Sequence, residues 1–116
     1  MLDLSGNALS NQMAIVLNDL LESAQSLKVL NLSSCLKYNE VTRKVLKGIM
    51  SNKSLTYLNL SNNKLNHPEF EYGSIIGRML QVMEKLKHLD ISCCKLSQPE
   101  LLFIAISMKF SPAGSG

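Results

Sequence analysis

Leucine and isoleucine recur along the chain in four similar blocks, and each block alternates apolar with polar residues. The most complete block, Leu55 to Leu65, follows the pattern Leu-x-x-Leu-x-Leu-x-x-Asn-x-Leu. Similar blocks run from Leu86 to Leu96 and from Leu27 to Cys35, and a shorter one runs from Leu2 to Leu9. Alternation with period two predicts a short strand in each block, with its central aliphatic residues on one side.

These central aliphatic residues are expected to point into a shared core. The pairs are Leu2 and Leu4, Leu30 and Leu32, Leu58 and Leu60, and Leu89 and Ile91. One block offers too little apolar surface to close a core alone, so successive blocks have to stack. On this basis Leu58→Ala should cost about 2–5 kcal/mol of stability, measured by urea unfolding.

The segments between the blocks have the period of amphipathic helices. The apolar residues expected on one face are Met13, Leu17, Leu20, Leu21 and Ala24 in the first, Val41, Val45, Ile49 and Met50 in the second, and Ile76, Met79, Leu80 and Met83 in the third. Asn66-His67-Pro68-Glu69 and Ser97-Gln98-Pro99-Glu100 both predict helix starts with a capping box. Repeated strand-then-helix units require parallel strands with helices outside.

The spacing of the blocks is not quite regular. They start at Leu27, Leu55 and Leu86, which gives steps of 28 and 31 residues (55 − 27 and 86 − 55). The third unit is therefore about three residues longer, and Gly73-Ser74 within it is expected to mark a helix break or bend. The first block lacks its leading leucine, so we expect a fragment of a longer solenoid or a degenerate first unit.

The chain resembles the ribonuclease-inhibitor-like class of leucine-rich repeats in three features. These are the period of 28 residues, the helix-length second half of the unit, and the Asn or Cys at the ninth block position. The ninth positions are Asn7, Cys35, Asn63 and Cys94. The resemblance implies an α/β leucine-rich repeat solenoid with a short parallel sheet on the concave side and helices on the convex side. We expect about four repeats over residues 1–110, the first one clipped, and a flexible tail over residues 111–116.

One position departs from this family's pattern. Lys37 stands where the other blocks carry Leu9, Leu65 and Leu96, and Leu36 lies beside it as a substitute. The family pattern therefore does not predict the conformation of the second strand-to-helix loop.

Strand residues that point away from the core should form columns on the concave face. One column contains Met1, Val29, Tyr57 and His88, and the next contains Asp3, Asn31, Asn59 and Asp90. A tyrosine buries a large area at low entropic cost and keeps a polar hydroxyl, so Tyr57 is the expected anchor. We predict a protein-binding face with contact residues Tyr57, Asn59, Asn31, His88 and Asp90. The alternative, that these are ordinary solvent-facing strand residues, stays open.

Composition narrows the class of partner and compartment. The chain has 116 residues, enough for one small domain, and a net charge of +3. The chain has no dense basic stripe with interleaved aromatics, so nucleic-acid binding is not predicted. It has no stretch of about 20 apolar residues, so a membrane span is not predicted either. The cysteines Cys35, Cys93 and Cys94 are odd in number and lack the spacing of a disulfide framework. They predict a reducing, cytoplasmic setting, with Cys35 and Cys94 buried and Cys93 accessible.

No catalytic, cofactor or metal site is predicted. His88, Asp90 and Ser92 are the residue types of a catalytic triad. Residues two apart on a strand are separated by about 6.6 Å, however, whereas catalytic hydrogen bonds measure about 2.6–3.2 Å. Two other clusters lack the spacing of metal ligands: Cys93 and Cys94 with His88, and His67 with Glu69 and Glu71. We therefore do not expect an enzyme.

The two ends of a solenoid expose core unless something covers them. The segment Leu101 to Phe110 is apolar on nearly all sides, so a further repeat, another protein or a second copy should cover it. Phe103 and Ile106 are the candidate end-packing residues. The first strand is an unpaired sheet edge, which also favours self-association.

These observations favour a non-enzymatic protein–protein interaction module that presents its concave face and forms part of a longer protein or a complex. The alternative is a structural or regulatory solenoid that contacts a larger assembly through its ends and helices. Actin-regulator, innate-immune and ubiquitin-ligase-adaptor repeat domains are examples from the family resemblance. The sequence does not identify the protein partner.

Overall fold

Four strand–helix units follow one another in the computed structural model, which describes residues 1–110, with side chains described to residue 106. The expected tail over residues 111–116 lies outside the described residues. The strands β1 to β4 are Leu2–Asp3, Val29–Asn31, Tyr57–Asn59 and His88–Asp90. The helices α1 to α4 are Asn11–Ser23, Asn39–Met50, Tyr72–Val82 and Gln98–Phe110.

The four strands form one parallel sheet in the order β1-β2-β3-β4. Its register places Leu58 between Leu30 and Leu89, and Asn59 between Asn31 and Asp90. Equivalent block positions therefore lie side by side, as the repeat predicts. The expected α/β solenoid with parallel strands is confirmed.

The core lies between the sheet and the helices. Leu30, Leu32, Leu58 and Leu60 in the two middle units are completely buried. The matching pairs in the first and last units, Leu2 with Leu4 and Leu89 with Ile91, are only partly buried and pack against this core. The middle units have a neighbour on both sides, whereas each outer unit has one among the described residues.

Part of the buried apolar face predicted for α1 is wrong. Ala14, Leu17 and Leu21 are buried, as the pattern in this segment allows, but Met13 and Leu20 are 43% and 41% exposed. Both exposed side chains line an open apolar groove at the β1 end of the solenoid, where no described residue covers them. In α2 and α3 the predicted faces are buried, except that Met50 is half-buried.

The predicted helix start at Asn66-His67-Pro68-Glu69 is wrong. His67 and Phe70 pair across a tight turn, and α3 begins only at Tyr72. The extra residues of the third unit therefore form this turn before the helix. The equivalent signal at Ser97 does form a capping box, because the Glu100 carboxylate accepts from the Ser97 amide, while Ser97 Oγ accepts from the Glu100 amide.

Gly73 marks close helix packing, and the expected break or bend at this position is wrong, since α3 continues through it from Tyr72 to Val82. A Cβ atom at Gly73 would lie 2.7 Å from Glu100 Cβ and 3.0 Å from its Cα. The Gly73 amide also donates to Glu100 Oε2 at 3.0 Å. A side chain at this position would push α3 away from α4.

The departure at Lys37 is resolved by its neighbour. Leu36 is buried at the position facing the core, and Lys37 is exposed. The Leu36 amide donates to Asn63 Oδ1 at 2.8 Å, so the shifted loop is held by the following unit. The expected substitution of Leu36 for the repeat leucine is confirmed.

Candidate protein-binding face

The strands place the predicted anchor and its neighbour together on the concave face, by which we mean the sheet surface facing away from the helices. Tyr57 pairs with His88 in the β3–β4 register, and their ring centroids lie 6.0 Å apart with planes tilted by 42°. Tyr57 is half-buried and His88 is exposed. This spacing is within the range of an aromatic pair, so the two rings form one amphipathic contact surface.

The asparagine and aspartate column closes the turn after each strand. Oδ1 of Asn59 accepts from the Ser61 amide at 2.9 Å and from its hydroxyl at 2.7 Å. Oδ1 of Asp90 accepts from the Ser92 amide at 2.9 Å and from its hydroxyl at 2.6 Å. Side chains of this type mimic a backbone turn, which explains Asn or Asp at every strand end. They hold the face in shape as well as lining it.

These turn bonds also set the charge at the strand ends. The hydrogen bonds from Ser92 hold the pKa of the Asp90 carboxyl below its ordinary value, and bonds from Ser5 lower the pKa of Asp3 in the same way. Both carboxyls are therefore ionised at neutral pH. The second column carries a negative charge at each outer strand and neutral amides on the two inner strands.

A backbone turn follows each strand end in a conformation that the sequence pattern did not reveal. The residues three positions after each strand-end Asp or Asn have positive φ: Gly6 at 77°, Ser34 at 56°, Asn62 at 58° and Cys93 at 56°. Gly and Asn adopt this left-handed conformation more readily than other residues, so Ser34 and Cys93 are the two unusual cases among these four. The turns limit strands β2 to β4 to three residues each and confine the face to a narrow strip.

A ladder of buried polar side chains fixes the spacing of the strands beneath the face. Asn63 Nδ2 donates to Leu32 O and Leu60 O at 2.9 and 2.8 Å, and its Oδ1 accepts from the Cys35 and Leu36 amides at 2.9 and 2.8 Å. One side chain thus satisfies four backbone groups, three of them in the preceding unit.

Cysteines serve the same ladder in two other units. The Cys35 thiol donates to Leu4 O at 2.8 Å, and the Cys94 thiol donates to Leu60 O at 3.0 Å. Burial raises the pKa of both thiols, which keeps them protonated as donors. Both are buried and Cys93 is exposed, as predicted, and all three are free. Asn7, at the same position in the first unit, is exposed and bonds only within its own turn.

The extended-strand spacing that was used against a catalytic triad does not hold for Asp90 and Ser92. Asp90 and Ser92 do touch, because the strand ends at Asp90 and the chain turns, so the extended spacing no longer applies. His88 is not part of that pair: within the described residues it makes a ring contact with Tyr57 and no hydrogen bond to Asp90 or Ser92. The arrangement is a carboxylate that holds a serine hydroxyl in the turn, and it lacks the imidazole between them that a Ser-His-Asp triad requires.

Part of the cluster of His67, Glu69 and Glu71, which lacks the spacing of metal ligands, has a packing role. His67 stacks on Phe70 with centroids 4.3 Å apart, and His67 Nδ1 accepts from the Glu69 amide at 3.0 Å.

Within residues 1–106, no three His, Cys, Asp or Glu side chains lie close enough together to hold a metal ion. No helix in the described part of the chain has the length and apolar character to cross a membrane.

The end-packing candidates lie on the exposed side of α4. Phe103 is 46% exposed and Ile106 is 50% exposed, while Ile104 between them is buried. Phe103 faces the preceding unit, since it lines grooves together with Ser74 of α3. At the opposite end, Leu2, Leu4, Leu9, Met13, Val16 and Leu20 line an open groove of about 430 Å³.

An aromatic and cationic cluster lies beside the inserted turn, and the sequence reasoning did not predict it. Phe70 contacts Tyr72 edge-on at 6.1 Å, and the Arg43 guanidinium of α2 lies 4.6 Å from the Phe70 ring centroid. The Tyr72 hydroxyl donates to Asn39 Oδ1 at 2.7 Å. The signal that could have indicated the cluster is the crowding of His67, Phe70 and Tyr72 in the lengthened third unit.

Comparison with known proteins agrees with this architecture. A family model described as Leucine Rich Repeat matches residues 54–73 and 85–105, which are the β3 and β4 units. The chain is similar to the tropomodulin C-terminal domain of Caenorhabditis elegans, with 19% identity, a TM-score of 0.66, and coverage of 92% of this chain and 63% of that one. These matches confirm the expected leucine-rich repeats.

A second similar structure is a region that binds actin. It is actin-binding site 2 of leiomodin-1, with 19% identity, a TM-score of 0.72, and coverage of 95% of this chain and 64% of that one. At these identities the likeness shows the fold alone, and the chain spans less than two thirds of either neighbour. No curated protein has a matching sequence.

Proposed function

We propose that this leucine-rich repeat chain is a non-enzymatic protein-interaction module whose concave face binds a protein partner. The observation that carries the proposal is the Tyr57–His88 pair, which lies on a rigid sheet beside Asn31, Asn59 and Asp90. Tyrosine in a preorganised setting is a common binding anchor, and strand residues lose little entropy when a partner arrives. Repeat solenoids commonly bind through such surfaces.

The size of the face sets the expected affinity. Neighbouring strands lie about 4.8 Å apart, so four strands span only about 15–20 Å. A stable interface buries about 800 Å² on each partner, which this strip supplies only if the partner also contacts its rims. We expect a dissociation constant in the micromolar range for the chain alone.

Actin is the first partner to test, because the leiomodin-1 neighbour is an actin-binding site. The measurement is binding of labelled monomeric actin to the purified chain, followed by fluorescence anisotropy. If actin does not bind, the partner-binding residues are tested instead against partners recovered by crosslinking in cells. Absence of any protein partner on the concave face would overturn the proposal.

A matched pair of tyrosine substitutions tests the face itself. Tyr57→Ala removes the anchor and should weaken partner binding by about tenfold. Tyr38 is 60% exposed at the start of α2, away from the sheet, so Tyr38→Ala is the control and should change affinity by less than about twofold. Equal losses in the two variants would contradict a concave binding site.

The alternative function, a structural unit that contacts its assembly through its ends, is favoured by a separate observation. Apolar side chains are exposed at both ends, including Met13 in the β1 groove and Leu102 and Ile106 on α4. Burying such surface contributes about 25 cal/mol per Å², which favours self-association. Sedimentation at about 100 μM should then show oligomers that Ile106→Asp or Met13→Asp disrupts. A clean monomer would exclude self-association through the ends.

We further propose that the protein acts in the cytoplasm. Cys35 and Cys94 serve as protonated thiol donors in the core and Cys93 is exposed. An oxidising compartment would favour oxidation of the exposed Cys93 thiol, whereas cytosolic reductants keep all three thiols reduced. Localisation of a tagged chain by microscopy tests this, and secretion of the folded protein would contradict it.

A further inference from the structure

An open groove lies on the convex side between α2, α3 and α4. It measures about 510 Å³, which is within the range of small ligand sites. Helices α1 and α2 pack closely, as do α3 and α4, but α2 and α3 contact each other much less. The turn at His67–Phe70 comes before α3, and the Phe70 ring lies against Arg43 of α2.

The groove is strongly cationic. Arg43 and Lys47 come from α2 and Arg78 comes from α3, and none of the eight side chains lining it is a carboxylate. The fold gathers these charges from two helices around one opening. Cations grouped in a groove attract an anionic partner more strongly than the same charges spread over a surface.

Carboxylates line the adjoining furrows but not the groove itself, and Glu71 and Glu100 line the furrow that shares Ser74 and Phe103 with it. Glu40 of α2 lines the adjoining furrow with Arg43, Lys44 and Lys47, so it offsets part of the charge on that side only. Glu100 of α4 uses both oxygens on the Gly73 amide and on Ser97. Arg78, the cation on the α3 side, therefore has no carboxylate among the groove's lining residues.

The rest of the lining is largely apolar. Met50 is half-buried, Ile75 packs partly against the core, and Phe103 contributes an exposed ring. A free inorganic anion would leave these groups unused. A nucleic acid would need aromatic side chains spaced for base stacking, whereas two of these three are aliphatic.

We propose that this convex groove binds an acidic peptide segment of a protein partner, with carboxylates facing Arg43, Lys47 and Arg78 and an apolar side chain against Met50, Ile75 and Phe103. Charge complementarity selects the acidic segment, and the apolar floor selects a segment that also carries a leucine-like or aromatic residue. The groove is separate from the concave face, so the chain has two binding surfaces on opposite sides of the sheet.

The test uses a fluorescein-labelled peptide of about 12 residues in which glutamates surround a central leucine, titrated with the full chain and followed by anisotropy. We expect a dissociation constant on the order of 10 μM at about 50 mM salt, weakened several-fold at about 300 mM salt as the charges are screened. The same peptide with glutamine in place of every glutamate should not bind measurably. Equal binding of the two peptides would overturn the proposal.

Charge-matched variants locate the site. K47Q/R78Q removes two groove cations and spares the Arg43–Phe70 contact, so the fold is retained and affinity should fall about fivefold. K28Q/K85Q removes the same charge from positions outside the groove and should change affinity less than about twofold. Similar losses in both variants would mean that only net charge attracts the peptide, and the groove would be excluded.

Two further measurements separate this proposal from its rivals. F103A should weaken the leucine peptide by about threefold and leave an all-glutamate peptide unaffected, because only the leucine uses the apolar floor. Y57A should leave peptide binding intact, so failure of the concave-face proposal would not affect this one. A single-stranded DNA of about 12 nucleotides that binds as tightly as the peptide would show a general polyanion surface and overturn the assignment.

Discussion

Asn63 holds more backbone together than any other single side chain at the ladder position, so its removal is the sharpest test of the stacked architecture. Asn63→Ala leaves the Cys35 and Leu36 amides and the Leu32 and Leu60 carbonyls without their present partners. Each such bond contributes about 0.5–1.5 kcal/mol net, so four bonds amount to about 2–6 kcal/mol. That is a large fraction of the roughly 5–15 kcal/mol that stabilises an ordinary domain.

The repeat supplies its own controls. Asn7 occupies the same position in the first unit but is exposed, and its two bonds of 3.2 Å stay within its own turn. Water can replace those bonds, so Asn7→Ala should cost less than about 1 kcal/mol. Asn63→Cys restores the donor that Cys35 and Cys94 supply in their units and replaces the amide oxygen with a weaker sulfur acceptor, so it should fall between wild type and Asn63→Ala.

Urea unfolding followed by circular dichroism measures all three variants. With a slope of about 1.5–2 kcal/mol per M urea, a loss of about 3 kcal/mol lowers the midpoint by about 1.5–2 M. If Asn63→Ala unfolds within about 0.5 kcal/mol of wild type, or no earlier than Asn7→Ala, the ladder does not hold the units together and the reasoning is refuted.

Three further outcomes follow from the packing and the ionisable groups. Gly73→Ala should lose about 1–3 kcal/mol in urea melts, because its Cβ would meet the α4 backbone at Glu100, whereas Ser74→Ala at the exposed neighbour should change little. Iodoacetamide should alkylate Cys93 in the native protein and the two ladder cysteines only after denaturation, as mass spectrometry would show; equal rates would place the ladder thiols in solvent. The lowered pKa of Asp90 contributes stability that is present above its unfolded value near 3.8 and is lost as pH falls through the folded value, so Asp90→Asn should lose less stability than wild type between about pH 6 and pH 3.

The repeat, the strand register and the columns of the concave face could all be predicted from the order of residues in the chain. A residue's place in the block decides which way it points, because strand side chains alternate, and the nearly constant spacing makes equivalent residues neighbours. The block positions alone therefore pair Tyr57 with His88 and Asn59 with Asp90, and the observed register agrees. Whether these residues bind a partner stays a prediction.

Features that depend on what lies beside each unit could not be predicted in this way. Met13 and Leu20 follow the apolar pattern but are exposed, since burial requires a neighbour that a single helix pattern cannot reveal. The extra residues of the third unit form a turn whose Phe70 contacts Arg43 on another helix, and Gly73 meets Glu100 across a helix interface. The cationic groove arises for the same physical reason. It joins residues from separate helices, and their proximity depends on how those helices pack and not on local sequence.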